Sequence, residues 1–356
     1  MKRLILAINP GSTSTKFALY EEDNMVFEKT LRHSSEDLAP FETIADQFHF
    51  RKNLIISEIK QQNIDVSRIA VVVGRGGLVN PIESGIYEVN EKMKKDLLNA
   101  DRGEHASNLG GLIADEIASL LPGARAYIVD PVVVDELQPL ARISGHPAIE
   151  RISIFHALNQ KAVARKFAAS AGRKYEDLKL IIAHMGGGIS VGAHSGGRVI
   201  DVNNALNGDG PLSPERSGGL PSGQLIDLCF SGKYSLNEVK SMITGRGGMV
   251  AYLGTNSFIA VCEMADKGDR KAVLVRDAIA YQVSKEIGSL AAVLEGNVDA
   301  IILTGGLAYQ RSHVEKIRKM VGFIARVEVY PGEDEIEALA YNGLLALDGK
   351  IEARIY

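Results

Sequence analysis

Leu4-Ile5-Leu6-Ala7 returns as Leu180-Ile181-Ile182-Ala183, 176 positions later, and in the same register Gly11 meets Gly187 and Ser14 meets Ser190. Each copy reads as a short buried strand, a glycine-bearing tight turn and an outgoing strand, the pattern of a hairpin. The offset is close to half of the 356 residues and predicts two domains of related design. Four apolar matches alone are within reach of coincidence; the turns that follow them carry the comparison. A second recurrence, Gly74–Gly77 as Gly245–Gly248, has a different offset and reflects glycine abundance.

The rest of the chain alternates apolar runs with amphipathic stretches. Strands are expected at 4–8, 16–20, 69–73, 126–129, 180–183, 190–194, 198–202, 300–303 and 326–329. Helices are expected at 43–61, 108–121, 156–171, 236–243, 271–294, 313–320 and 335–347. That interleaving indicates an α/β protein. The length suits two domains, and 40 Lys+Arg against 44 Asp+Glu argues against nucleic acid as a partner. The two cysteines, Cys229 and Cys262, read as reduced thiols of a cytoplasmic protein. No apolar run has the ~18 residues of a membrane span, and Leu4–Ile8 is too short for a secretory signal core.

Glycine is over-represented and unevenly placed: 16 of 36 fall between Gly186 and Gly254. The turn after the first strand, Asn9–Lys16, gathers hydroxyls, an amide and a cation. Backbone N–H groups beside Ser/Thr hydroxyls make a donor surface suited to phosphate, and Lys16 adds a point charge. It is not a Walker A loop, and a solvated Ser/Thr hairpin would read the same way. The second turn, His184–Ser190, contains Gly186-Gly187-Gly188, whose use is close approach to a ligand; a flexible loop is the bland alternative. The third, Thr304-Gly305-Gly306-Leu307, would let a flat ring lie on the backbone, or is an ordinary βα turn. Three such turns, two of them related by the repeat, describe a nucleotide held by two similar domains.

The motifs resemble those of the acetate kinase family in order and along nearly the whole chain. LILAINPGSTSTK (Leu4–Lys16) is similar to the family's opening, Tyr127–Asp130 to its strand ending in aspartate, and Phe155–Asn159 to its Phe-His element. Ile182–Gly188 resembles its second phosphate loop and Arg216-Ser217-Gly218 its Arg-Ser-Gly segment. Ile128–Glu136 and NGDGPLSPERSGGLPSG (Asn207–Gly223) look like the butyrate and branched-chain fatty acid kinase branch. The resemblance implies a two-domain actin-like fold of the acetate and sugar kinase/Hsc70/actin superfamily, with duplicated ribonuclease H-like domains. Domain I is expected at 1–153, completed by the C-terminal helix within 331–356, and domain II, which binds nucleotide, at 154–330.

It further implies reversible transfer of a phosphoryl group from ATP to butyrate or a branched acid such as isobutyrate, giving acyl phosphate and ADP, with Mg2+. Arg75, Asp130, His156 and Arg216 match the family's catalytic positions. Asn9, Ser12, Ser14, Lys16, His184, Gly186–Gly188, Gly305 and Gly306 match its phosphate and nucleotide positions. Asn9 and Glu335 match the metal end, with Glu333 and Asp334 as neighbouring candidates. His105, Phe155 and Gly77 match the substrate pocket. The chain departs from the family pattern in three places: Gly187 replaces an asparagine, Ser257 an acidic residue near the ribose, and Gly77 a valine, a change expected to leave room for two or three more carbons. Alternatives are an acetate or propionate kinase, or a non-catalytic nucleotide-binding regulator. A homo-oligomer, a dimer or an assembly of dimers, follows the family habit, with no nucleic-acid or membrane partner.

Overall fold

The computed structural model describes residues 3–356. It has two compact units: residues up to Val134 together with Asp334–Tyr356, and Asp135–Glu333. In the first, β1 (Leu4–Pro10), β2 (Ser14–Glu21), β3 (Asn24–Arg32), β4 (Ile69–Arg75), β5 (Ile86–Glu88) and β6 (Arg125–Val129) form a sheet ordered β3-β2-β1-β4-β6-β5. In the second, β7 (Leu180–Met185), β8 (Ile189–Ser195), β9 (Arg198–Val202), β10 (Ala300–Gly305) and β11 (Val327–Pro331) are ordered β11-β10-β7-β8-β9.

The two sheets share one plan. β1-β2-β3 and β7-β8-β9 are antiparallel meanders. Their first strands then pair in parallel with β4 and β10, which pair in parallel with β6 and β11. The repeated Leu4–Ala7 and Leu180–Ala183 therefore sit in equivalent central strands, and Gly11 and Gly187 in the turns that leave them.

Central strands covered on both faces need no polar alternation, and every residue of β7 is buried. Helix Asn108–Ser119 lies against β4 and β6, and helix Glu335–Leu347 against β1 and β4. The fit of helix Asn108–Ser119 is backbone on backbone. A Cβ at Gly74 would fall 2.1 Å from the Gly110 carbonyl oxygen, and one at Gly110 2.2 Å from that of Arg75. In the second unit, helix Ala157–Ser170 packs on β7 and β10, and Arg270–Val293 on β7 and β8.

The expected strands and helices are present, and others join them. β3 is exposed and polar along most of its length, so an edge strand there shows no apolar signal. β5 is three residues long. Helices also form at Glu91–Asn99, Ser222–Cys229, Gly248–Leu253 and Phe258–Asp266. Residues 135–153, assigned above to the first domain, pack with the second unit: Gln138 N–H donates to Ile200 O, and Val199 N–H to Glu136 Oε2. No helix among the described residues is long and apolar enough to cross a membrane.

Candidate active site

In the first unit, three chain segments bring polar groups to the carboxyl ends of β1 and β4. Asn9 is the last residue but one of β1, Arg75 ends β4, and Glu335 opens the last helix. Glu335 is only 4% exposed; its Oε2 accepts from Asn9 Nδ2 at 2.7 Å and pairs with Arg75 Nη1 at 2.9 Å. Arg75 Nη1 also donates to Asn9 Oδ1 at 3.3 Å. Of the three neighbouring acids, Glu335 is the one that meets Asn9. A carboxylate this deep is tolerable only when paired, and here its partners are Asn9 and Arg75. Lys16, opposite Asn9 across the hairpin, pairs with Glu28 at 2.9 Å.

Asp130 follows β6 in a left-handed conformation, φ +37°, which for a non-glycine residue costs roughly 1–3 kcal/mol. Its Oδ1 accepts from Ser84 Oγ at 2.6 Å and Gly85 N–H at 2.9 Å, and it is buried. Its own N–H donates to Gly85 O. His105 Nδ1 accepts from Ser107 N–H at 3.2 Å at the approach to helix Asn108–Ser119.

The turn between β1 and β2 rests on a residue that the sequence reading missed. Arg51, fully buried, donates through Nη1 to Gly11 O (2.7 Å), Ser14 O (3.0 Å) and Thr15 Oγ1 (3.1 Å), and through Nη2 to Ser12 O (3.0 Å). Gln47 Oε1 takes the remaining donors. Three carbonyls of the turn are thereby drawn to one cation, which fixes the loop that carries Ser12 and Ser14. Burial lowers the Arg51 pKa to about 10, so it remains charged at neutral pH. An arginine within a helical pattern ordinarily reads as solvated, and no sequence signal distinguished this one.

In the second unit, His184 is the last residue but one of β7, and His156 precedes helix Ala157–Ser170. Their rings stack with centroids 3.8 Å apart and planes 14° from parallel. His184 Nδ1 lies 2.8 Å from Asn159 Oδ1, and His156 Nδ1 2.8 Å from Ser190 Oγ. Phe155, 1% exposed, is buried beside them. Asn159 and Ser190 were not singled out, although Ser190 was already visible as the repeat partner of Ser14.

The glycines now have separate reasons. A Cβ at Gly188 would sit 2.0 Å from Arg216 Nη1, so the guanidinium lies where a side chain would be; the same Nη1 donates to Ala205 O at 2.5 Å. A Cβ at Gly187 would come 3.3 Å from the Glu215 carboxylate, and one at Gly186 3.1 Å from His184 Nε2. Gly305 has φ +86° and no room for a Cβ, which would fall 2.5 Å from Met185 O, whereas Gly306 has open space above it. Ser257 caps helix Phe258–Asp266, accepting from Ala260 N–H. Gly77 requires a correction. A Cβ there would lie 2.6 Å from Asn108 Cα and 2.8 Å from Leu97 Cδ2, so the missing side chain is a packing requirement and does not widen an acyl pocket.

The Acetokinase family model matches residues 148–330. Butyrate kinase 2 of Clostridium acetobutylicum is 56% identical over 356 residues, the whole of both chains. The chain belongs to the acetokinase family. Butyrate kinase 1 of the same organism is 57% identical over 352 residues, 99% of each chain. The crystal structure of Porphyromonas gingivalis acetate kinase superposes with a TM-score of 0.80 at 21% identity, covering 97% of this chain and all of that one. That likeness concerns the fold, and the acetokinase here shares it: two α/β halves with ribonuclease H-like sheets, as in actin-like proteins.

Proposed function

We propose that this acetokinase transfers the γ-phosphoryl group of ATP, reversibly and in line, to butyrate or a branched short-chain acid such as isobutyrate, forming acyl phosphate and ADP. The observation that carries the reading is the 56% identity to a butyrate kinase along the full length of both chains.

The residues suit the chemistry. A carboxylic acid with pKa near ~4 is ionised at neutral pH, so its oxygen needs no general base. The demand is for positioning and for positive or donor groups around a phosphoryl whose charge spreads over three oxygens. Arg75 and Arg216 supply fixed forks of N–H donors, His156 a ring donor, and Asp130 orients the acceptor end. Ser12, Ser14, Lys16 and the backbone of Gly186–Gly188 hold phosphates, with His184 beside them, and Gly305–Gly306 accommodates adenine. His105 and Phe155 belong to the acid's pocket; Gly77 does not.

Magnesium fits the donor set at Glu335 and Asn9. It keeps most of its waters and takes one or two carboxylates beside substrate phosphates, which matches one buried carboxylate whose Oε2 is held by the Asn9 amide and by Arg75. Bound there, it would offset charge on the phosphate oxygens. We further infer a cytoplasmic homo-oligomer; the free thiols Cys229 and Cys262 support a reducing compartment.

Hydroxamate trapping of the acyl phosphate formed from ATP and butyrate tests the reaction, with Arg216→Ala as control. Acyl hydroxamate from the native enzyme and its loss in the variant support the proposal. No hydroxamate from any short-chain acid would point instead to a nucleotide-binding regulator.

A further inference from the structure

Behind His156 runs a buried chain of hydrogen bonds to which neither the sequence motifs nor the reaction above assigns a role. Tyr175 Oη lies 2.7 Å from His194 Nδ1, and His194 Nε2 lies 2.9 Å from Gln160 Oε1. Gln160 Nε2 donates to Ser190 Oγ at 2.9 Å and to Ser190 O at 3.1 Å. Ser190 Oγ then meets His156 Nδ1 at 2.8 Å. Gln160, Ser190 and His194 are all 0% exposed. Gly192 makes the space: a Cβ there would stand 2.6 Å from Gln160 Oε1.

The bond directions from Gln160 back to Tyr175 follow from one backbone carbonyl, and the last, to His156, from the contacts of Ser190 Oγ. Only the amide nitrogen of Gln160 can face Ser190 O, because a carbonyl there would meet a carbonyl. Gln160 Oε1 is then turned to His194, whose Nε2 must carry the proton. His194 Nδ1 is left as an acceptor, and Tyr175 donates to it. Burial together with the charges of Lys161 and Arg165 holds the His194 pKa well below the usual imidazole value, in keeping with a neutral ring. Ser190 Oγ has two lone pairs and one proton. Gln160 Nε2 and the His156 N–H, at 3.4 Å, use the lone pairs. The serine proton goes to His156 Nδ1, and the His156 ring proton goes to Nε2.

We propose that Tyr175, His194, Gln160 and Ser190 are positioning residues that hold His156 as the Nε2–H tautomer. This rests on the reading of His156 as a donor to the transferring phosphoryl group. The neighbouring ring takes the opposite form: Asn159 Nδ2 donates to Glu333 O, so Asn159 Oδ1 accepts from His184 Nδ1–H. The stacked pair thus has one imidazole with its proton on Nε2 and one with its proton on Nδ1. A bare Nε2 on His156 would oppose a phosphoryl oxygen with a lone pair.

Long-range proton–nitrogen NMR of the full-length enzyme with 15N-labelled histidine reads the tautomers directly, with His156→Ala and His184→Ala used for assignment. The expected spectrum has an unprotonated Nδ1 and a protonated Nε2 at His156, and the reverse at His184. A protonated Nδ1 at His156 overturns the relay. Gln160→Met should mix the His156 tautomers and lower kcat about tenfold with both KM values within twofold. An unchanged spectrum and kcat would also overturn it. If Gln160→Met does not fold, Tyr175→Phe at the far end is expected to lower kcat about threefold with the same KM split, and the native spectrum remains decisive. Unchanged kcat in His156→Ala would instead overturn the role of His156, a failure separate from that of the tautomer assignment.

Discussion

Replacing Arg51 by methionine removes a buried cation whose partners are nearly all in one loop. Nη1 and Nη2 satisfy the carbonyls of Gly11, Ser12 and Ser14 and the Thr15 hydroxyl at 2.7–3.1 Å. Methionine restores most of the volume and none of the donors. Each buried acceptor left unsatisfied costs roughly 1–3 kcal/mol. Ser12 is exposed and its carbonyl can turn to water; Ser14 O keeps the Gly11 N–H and Thr15 Oγ1 keeps His33 Nε2, so the Gly11 carbonyl and the buried Gln47 Oε1 bear most of the loss, about 2–6 kcal/mol in all. Relief of the guanidinium's desolvation offsets part of this. Arg51→Met is therefore expected to unfold at clearly lower urea, and at temperatures where it stays folded to raise the KM for ATP about tenfold or more. Arg51→Lys keeps the charge but cannot span four acceptors, and should fall between the two. Urea melts and initial rates at varied ATP measure both effects. Native-like stability with an unchanged ATP KM in Arg51→Met would refute the clamp.

Gly188→Ala places a methyl 2.0 Å from Arg216 Nη1, the flexible end of a side chain, so the guanidinium should move and the fold should not. kcat is expected to drop about 10- to 100-fold with an unchanged melting temperature; equal loss of stability would contradict this. Gly77→Ala meets the backbone of Asn108 instead, and should destabilise by about 1–3 kcal/mol without altering the ranking of acids by kcat/KM. His313 is buried, neither ring nitrogen has a hydrogen-bond partner, and burial lowers its pKa to about 4. Because the unfolded imidazole binds a proton below pH ~6.5 and the folded one does not, stability should fall as pH drops from about 6.5 toward 4. The limit is about 3 kcal/mol at ~1.4 kcal/mol per unit. His313→Leu should flatten that slope in thermal melts at pH 5 and 7; parallel slopes would rule the residue out.

The duplicated plan was legible because β1 and β7 are central strands, and central strands are written as uninterrupted apolar runs. β3 was not, since an exposed edge strand looks like any polar segment. Residues 135–153 carry no composition break, and bonds such as those from Gln138, to Glu136 and from Arg151 to Asp201 show where they belong. At the site, Asn9, Arg75 and Glu335 were found through motifs and do meet in space. Gly77 was misread for a physical reason: a glycine records that a side chain is missing but not which way it would have pointed. Arg51 and Gln160 were passed over because an arginine or glutamine in a helix gives no sign of being buried until its neighbours are known.

The central claim is the size of the acid. Steady-state kcat/KM for acetate, propionate, butyrate and isobutyrate, measured with saturating ATP and magnesium, tests it most directly. The account predicts butyrate or isobutyrate foremost, with acetate at least severalfold lower, as two extra buried methylenes at about 0.8 kcal/mol each would give. A clear preference for acetate would contradict it.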